Sequence, residues 1–199
     1  VKIEHTGVLP IAFFYSVYIS MVRYRKKNQI KLPTYLIDKI KGIQEFKLYH
    51  ILREKMSDIY HVRISEEEFI WIYLITMCKR TVVDIETERL FTEQYAFWPE
   101  LEEISQAYTQ TWDKKFKVKR ADLVVLLHSF FISKKINDQI APVLNLVLPE
   151  VKSVARKQHS YEKNAQFLAE IRGLLKMNKA YEEDICCAFT LYIESIEEL

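Results

Sequence analysis

"YHVRISEEEFIWIYLITMCKR", residues 60–80, sets three consecutive glutamates directly before ten almost wholly apolar residues, Phe69 to Cys78. Helix chemistry accounts for that order. Ser65 stands where an N-cap belongs, and Glu68, three places on, closes a capping box with it. Glu66, Glu67 and Glu68 fill the first turn, where the positive end of the helix dipole favours carboxylates. Behind them the chain is apolar nearly all round. The spacing therefore predicts a helix over about 65–79, buried against several neighbours rather than along one stripe. Lys79 and Arg80 bring the charge that the dipole prefers to its other end.

Outward from this segment the same 3.6-residue period dominates. Pro10 to about Arg25 reads as a helix with proline near its start. "KLPTYLIDKIKG" ends on Gly42 as a C-cap, and "IQEFKLYHILREKMSDIY" follows as an amphipathic helix. "DIETERLFTEQYAFWPELEEISQAYTQTWDKKF" holds one or two helices, with Pro99 at the first turn of the second or marking a kink. "DKKFKVKR", residues 113–120, reads as a basic polar connector and a domain joint. Beyond it, helices are predicted at 121–135, 137–147, 149–158 and 161–176, and the last lies within "NKAYEEDICCAFTLYIESIEEL". Alternating runs and Asn-Gly or Asp-Gly hairpin signals are lacking, so the expected class is all-α.

Composition agrees. Of 199 residues 49% are hydrophobic and 28% charged, enough for one large or two small cores. With 3 glycines and 5 prolines, long helices and short polar loops are favoured. A formal charge of +2 is weak for a chain that holds nucleic acid by itself. No apolar run reaches the ~18 residues needed to span a bilayer, and no charged-then-apolar leader opens the chain. Cytoplasmic location with no membrane contact is the expectation. The missing initiator methionine fits a segment cut from a longer protein. Cys78, Cys186 and Cys187 lack a CxxC or Cys/His ligand spacing and read as reduced core thiols. Without HxxxH or HExxH pairs, metal and cofactor are both expected to be absent. No GxSxG, P-loop, GxGxxG or fixed carboxylate pair occurs, which argues against an enzyme and leaves no catalytic residue to name.

The opening pattern recurs. "SEEEFIWIYLIT" at 65–76 matches "YEEDICCAFTLY" at 181–192, three acids leading an apolar helix each time. "YISMVRYR" at 18–25 matches "HSFFISKK" at 128–135, apolar helix ends that finish in basic residues. The offsets, near 116 and 110, describe one helical unit used twice.

An apolar helix ending in basic residues, followed some fifty residues later by an acid-led helix, and all of it twice, resembles the PTS regulation domain (PRD). PRDs are helical modules found in tandem in bacterial sugar-responsive regulators. "FFYSVYISMVRYRKKNQIKLP" and "RISEEEFIWIYLIT" look most like the Mga-type regulators of virulence and carbohydrate genes. The resemblance implies two modules, residues 1–113 and 114–199, the second short at its C-terminus. It implies DNA-binding domains before Val1 and an enzyme-IIB-like domain after Leu199. It also implies a homodimer that meets DNA only through those outer domains. An RNA-binding antiterminator carrying the same module pair is the close alternative. A helical ligand sensor or interaction module without phosphotransfer is the other.

In that family, histidines accept a phosphoryl group from the phosphocarrier HPr or from a sugar permease component. One position lies on the first helix, seven residues before a basic residue; it falls on Tyr18 and His128 here. The other lies inside the acid-led helix, near Ile75 and Leu191. Only His128 keeps the imidazole, so it is the phosphoacceptor candidate, with Lys134 and Lys135 as candidates to stabilise the phosphate. A satisfied core histidine is the alternative, since Val124, Leu127 and Phe131 are its helical neighbours. His61, just before the acid-led helix, is the weaker acceptor candidate. His50 reads as a helix-surface residue, and His5 and His159 lie in polar contexts. The basic runs "RYRKKNQIK" and "KKFKVKR" read as a solvated helix end and a linker. The aromatics of "LFTEQYAFWPELEEI" are core or subunit contact.

Overall fold

The computed structural model describes residues 31–61, 63–78, 84–111 and 117–197. The expected helix at 10–25, Tyr18, most of "RYRKKNQIK", Lys79, Arg80 and Trp112 lie outside the described residues. Among the described residues there are helices and turns but no strand, so the chain is all-α.

The chain divides into two compact units, residues 1–77 and 78–199. In the first, α1 (Thr34–Gly42), α2 (Gln44–Tyr60) and α3 (Glu66–Cys78, its last residue counted with the second unit) follow one another with short joints. Leu36 and Ile40 of α1 and Phe46 of α2 are buried. The Phe46 ring packs edge-on against Tyr73 of α3, centroids 5.1 Å apart. The capping box is formed: the Ser65 N–H donates to Glu68 Oε2 at 2.8 Å, and the Glu68 N–H donates to Ser65 Oγ at 3.2 Å. Glu66 also pairs with Lys41 at 2.6 Å, which ties the start of α3 to the end of α1. Along α3, Phe69, Ile70, Ile72, Tyr73, Leu74 and Cys78 are buried, while Trp71, Ile75 and Met77 are half-buried. Gly42 does not serve as a left-handed cap. It is the last helical residue, and Ile43 beyond it is extended, so the chain re-enters helix at once. The left-handed cap falls instead on His61, φ 51°, after α2.

The second unit is built round α6 (Arg120–Ile140). Against it pack α4 (Ile85–Gln94), α5 (Pro99–Thr111) and a 3-10 turn at Pro142–Asn145. Pro99 opens α5, the first-turn position where its missing N–H costs nothing. Then come α7 (Pro149–Ala155), α8 (Tyr161–Glu170), α9 (Arg172–Leu175), a 3-10 turn at Lys179–Tyr181 and α10 (Glu182–Glu197). Phe189 of α10 gathers Tyr108, Phe131 and Phe130, with centroids at 5.0, 5.3 and 5.4 Å. Beside this cluster Tyr108 Oη donates to Asn164 Oδ1 at 2.7 Å, and Asn164 Nδ2 donates to Thr190 Oγ1 at 3.1 Å. Three helices, α5, α8 and α10, are locked by that chain.

The compact division falls between Met77 and Cys78, whereas the basic connector placed a joint at 113–120. α4 and α5 are bound to α6: Ser129 donates to the buried Glu88 carboxylate, and Arg89 meets Asp122 at 3.3 Å. The predicted helix at 137–147 is instead the end of α6 and the 3-10 turn, and the one at 161–176 is broken at Ile171.

A succession of elements recurs between the units. Leu32-Pro33 and Leu148-Pro149 introduce α1 and α7, 116 residues apart, and Glu66 and Glu182 open α3 and α10 at the same spacing. Between them α2 ends on a left-handed His61, and the α8–α9 pair ends on a left-handed Lys176, φ 46°.

Candidate functional site

His128 lies in the middle of α6, on the helix that α4 and α5 cover. It is buried, 6% exposed, and its Nε2 has no hydrogen-bond donor or acceptor within reach. Burial holds its pKa below the ordinary imidazole value, partly opposed by the Glu102 carboxylate on α5, so the ring is neutral at pH 7. A buried histidine kept only for packing usually has both ring nitrogens satisfied. This one does not. The hydroxyl of the adjacent Ser129 donates to the Glu88 carboxylate of α4.

The two lysines are placed otherwise than a phosphate cradle needs. Lys135 is two turns, ~10 Å, along the helix axis from His128. It is buried, and its ammonium donates to the carbonyls of Leu175 and Lys176, the latter at 2.9 Å. Those carbonyls end α9, so Lys135 is a C-capping cation for a four-residue helix. Burial lowers its pKa, against the carboxylates of Asp138 and Glu100. Lys134 is half-buried with Nζ 5.3 Å from the Phe130 ring centroid, a cation–π placement. Its backbone carbonyl accepts from Asn145 Nδ2 at 3.1 Å.

His61 is exposed on the left-handed cap of α2. Ile75 and Leu191, the other expected acceptor positions, are half-buried aliphatics. His159 is exposed; His5 and the side chain of His50 lie outside the described residues. Phe91 and Tyr95 of the aromatic stretch are buried inside the second unit, rings 4.7 Å apart, while Phe97 and Trp98 are half-buried.

Sequence reasoning missed a charge cluster at the start of α10. Asp184, 3% exposed, accepts the Val147 N–H at 2.7 Å and the Lys152 ammonium at 2.9 Å. Glu183 pairs with Arg156 and stands 3.6 Å from Lys152. Burial pushes the Asp184 carboxyl up, but the Lys152 and Val147 bonds outweigh it and hold it below the usual value. The visible signal was Lys152 and Arg156 at i,i+4, which share a helix face. Cys186 and Cys187 are buried thiols, and burial raises Cys186 to about 11, which leaves little thiolate for chemistry. Among the described residues no group of His, Cys, Asp and Glu is arranged to hold a metal ion, and no helix is long and apolar enough to cross a membrane.

Comparison of the chain with protein-family models, with curated proteins and with solved structures gives no match.

Proposed function

We propose that this chain is a phosphorylation-sensing regulatory segment of a Mga-like bacterial transcription regulator, made of tandem PRD-like modules and acting without catalysis of its own. In this reading it works in the cytoplasm as a homodimer, receives its signal from HPr or a sugar permease component, and reaches DNA only through other domains. The recurrence of α1–α3 as α7–α10, with left-handed caps at His61 and Lys176, supports the duplicated unit.

The observation that carries the reading is the unpartnered Nε2 of a neutral, buried His128. In the tautomer that carries its proton on Nδ1, this nitrogen keeps its lone pair uncommitted and is a nucleophile in waiting. The phosphoryl group would pass from a phosphorylated carrier to Nε2, one P–N bond forming as the carrier's own breaks. A carrier reaches His128 only when α5 swings from α6, a local opening of the kind native helices undergo. Once attached, a phosphate of about −2 charge cannot return to an apolar helix face without a partner cation. Lys135 is already committed to α9. Phosphorylation therefore holds α5 and α6 apart, and that change of packing is the output.

Incubating the protein with phosphorylated HPr tests this directly. Acid-labile label at His128, lost in His128→Ala and accompanied by faster amide exchange in α5, is the expected result. Equal labelling of the variant, or no labelling, sinks the assignment.

A further inference from the structure

Five large apolar side chains of the second unit stand in water along one short stretch, residues 143–154. Val143 and Leu146 are 58% and 57% exposed at the 3-10 turn after α6, and Leu148, on the joint that follows, is 63% exposed. Val151 and Val154 of α7 are 38% and 52% exposed. The inner side of α7 is fixed. Ala155 is fully buried, Lys152 reaches Asp184 of α10 at 2.9 Å, and Arg156 pairs with Glu183 of the same helix. Turning the outer side inward would break those bonds. Leu90 and Leu174, exposed elsewhere in this unit, stand apart in the chain, and such scattered residues are ordinary.

Two charges bracket the outer face of α7. Glu150 precedes Val154 by four residues, on the same face and ~6 Å along the axis. Lys157 follows Val154 by three, and its N–H donates to the Val154 carbonyl at 3.2 Å. That is 3-10 geometry, which eclipses side chains three apart and again spaces them ~6 Å along the axis. Acid, valine and base therefore stand in line, with the valine central. Both charged side chains are exposed, and among the described residues neither forms an ion pair.

A line of this kind complements itself. Turned over by a two-fold axis through Val154, it sets Glu150 of each copy against Lys157 of the other, with the two valines meeting between. Packed in parallel, it would set like charges together. The area fits the same occupant. The five side chains offer on the order of 300 Å² of apolar surface, the size at which a patch on a monomer marks an interaction site. Taken from two copies and joined to a polar rim, that makes roughly 1,000 Å² in all, the lower limit for a specific interface and the size of a weak, reversible dimer.

We propose that the outer face of α7 is the surface through which two copies of this chain pair, antiparallel about a two-fold axis at Val154. The proposal rests on the homodimer of the reading above and gives it a contact. It does not depend on phosphotransfer to His128.

Sedimentation of the full chain at low salt, from about 1 μM to about 1 mM, tests it. The native chain should reach dimer, and added salt should loosen it by screening the ion pairs. Glu150→Lys and Lys157→Glu each set like charges at both contacts and should weaken the dimer by about tenfold. A mixture of these two variants sets opposite charges at both contacts and should pair as tightly as the native chain. Val154→Glu brings two carboxylates together on the axis and should lose the dimer. All three positions are exposed, so the helical circular dichroism should stay unchanged. Monomer throughout the range in the native chain overturns this surface and the homodimer together. A native dimer that the single substitutions leave equally tight, or that the mixture fails to restore, overturns the surface and leaves the homodimer standing.

Discussion

Lys135 was the cation expected to meet a phosphate, and its burial gives it a different duty. One ammonium donates to two carbonyls at the end of α9, which is too short to close itself. Lys135→Met keeps the stem and removes the donors, so the buried Leu175 carbonyl and the part-buried Lys176 carbonyl lose that partner. The expected cost is about 1–3 kcal/mol in urea unfolding, with phosphotransfer to His128 unchanged if the carrier does not use this lysine. His128 itself should make stability depend on pH. Its pKa is lowered in the folded chain, so the unfolded chain binds the proton more readily. The contribution is complete above the ordinary imidazole value of 6.5 and is lost as pH falls through 6.5 toward the lowered folded value. Unfolding midpoints at pH 8 and pH 5.5 should therefore differ more in the native protein than in His128→Gln, which cannot titrate. Equal pH dependence in both would show that the ring is protonated as freely inside as outside.

At the level of the element, two acid-led helices that look alike in sequence begin by different means. α3 uses a local device, the Ser65–Glu68 box, and Ser65→Ala should cost about 1 kcal/mol by chemical denaturation. α10 is preceded by a 3-10 turn, where Asn178 Oδ1 accepts the Ala180 N–H at 3.0 Å, and its acids reach across to α7. Asp184→Ala strips the Val147 N–H of its acceptor and the Lys152 ammonium of its closest partner. A loss of about 1–3 kcal/mol follows, larger than that of an exposed ion pair. The difference explains what could be read beforehand. Helix class, the capping box and the position of Pro99 depend on residues three or four apart, and the sequence displays those directly. The partners of Asp184 and Lys135 lie some thirty to forty residues away, and no local period points to them. His128 was legible as a residue and illegible as a site: its place on an apolar helix was plain, but that its Nε2 is buried without a hydrogen-bond partner depends on the elements packed round α6.

Over the whole chain, the lesson concerns where a unit ends. Basic and polar residues at 113–120 carry every mark of a linker, yet the helices before them belong with the helix after them. Composition reports local solvation, whereas the boundary is set by which faces are shared. Glu88 meets Ser129, Arg89 meets Asp122, and Tyr108 meets both Asn164 and the Phe189 ring, all across residues 113–120. A polypeptide of residues 78–199 keeps these contacts, and one of residues 114–199 loses them all. The shorter piece would take Tyr108 away from the Phe189 ring and leave Asn164 without its tyrosine hydroxyl. The longer piece should therefore unfold in one cooperative urea transition with well-dispersed amide resonances. The shorter should show a broadened transition, bind a hydrophobic dye and associate. If both fragments unfold alike, the packing of α4 and α5 on α6 adds nothing to the fold, and the switch proposed for His128 loses the moving part it needs.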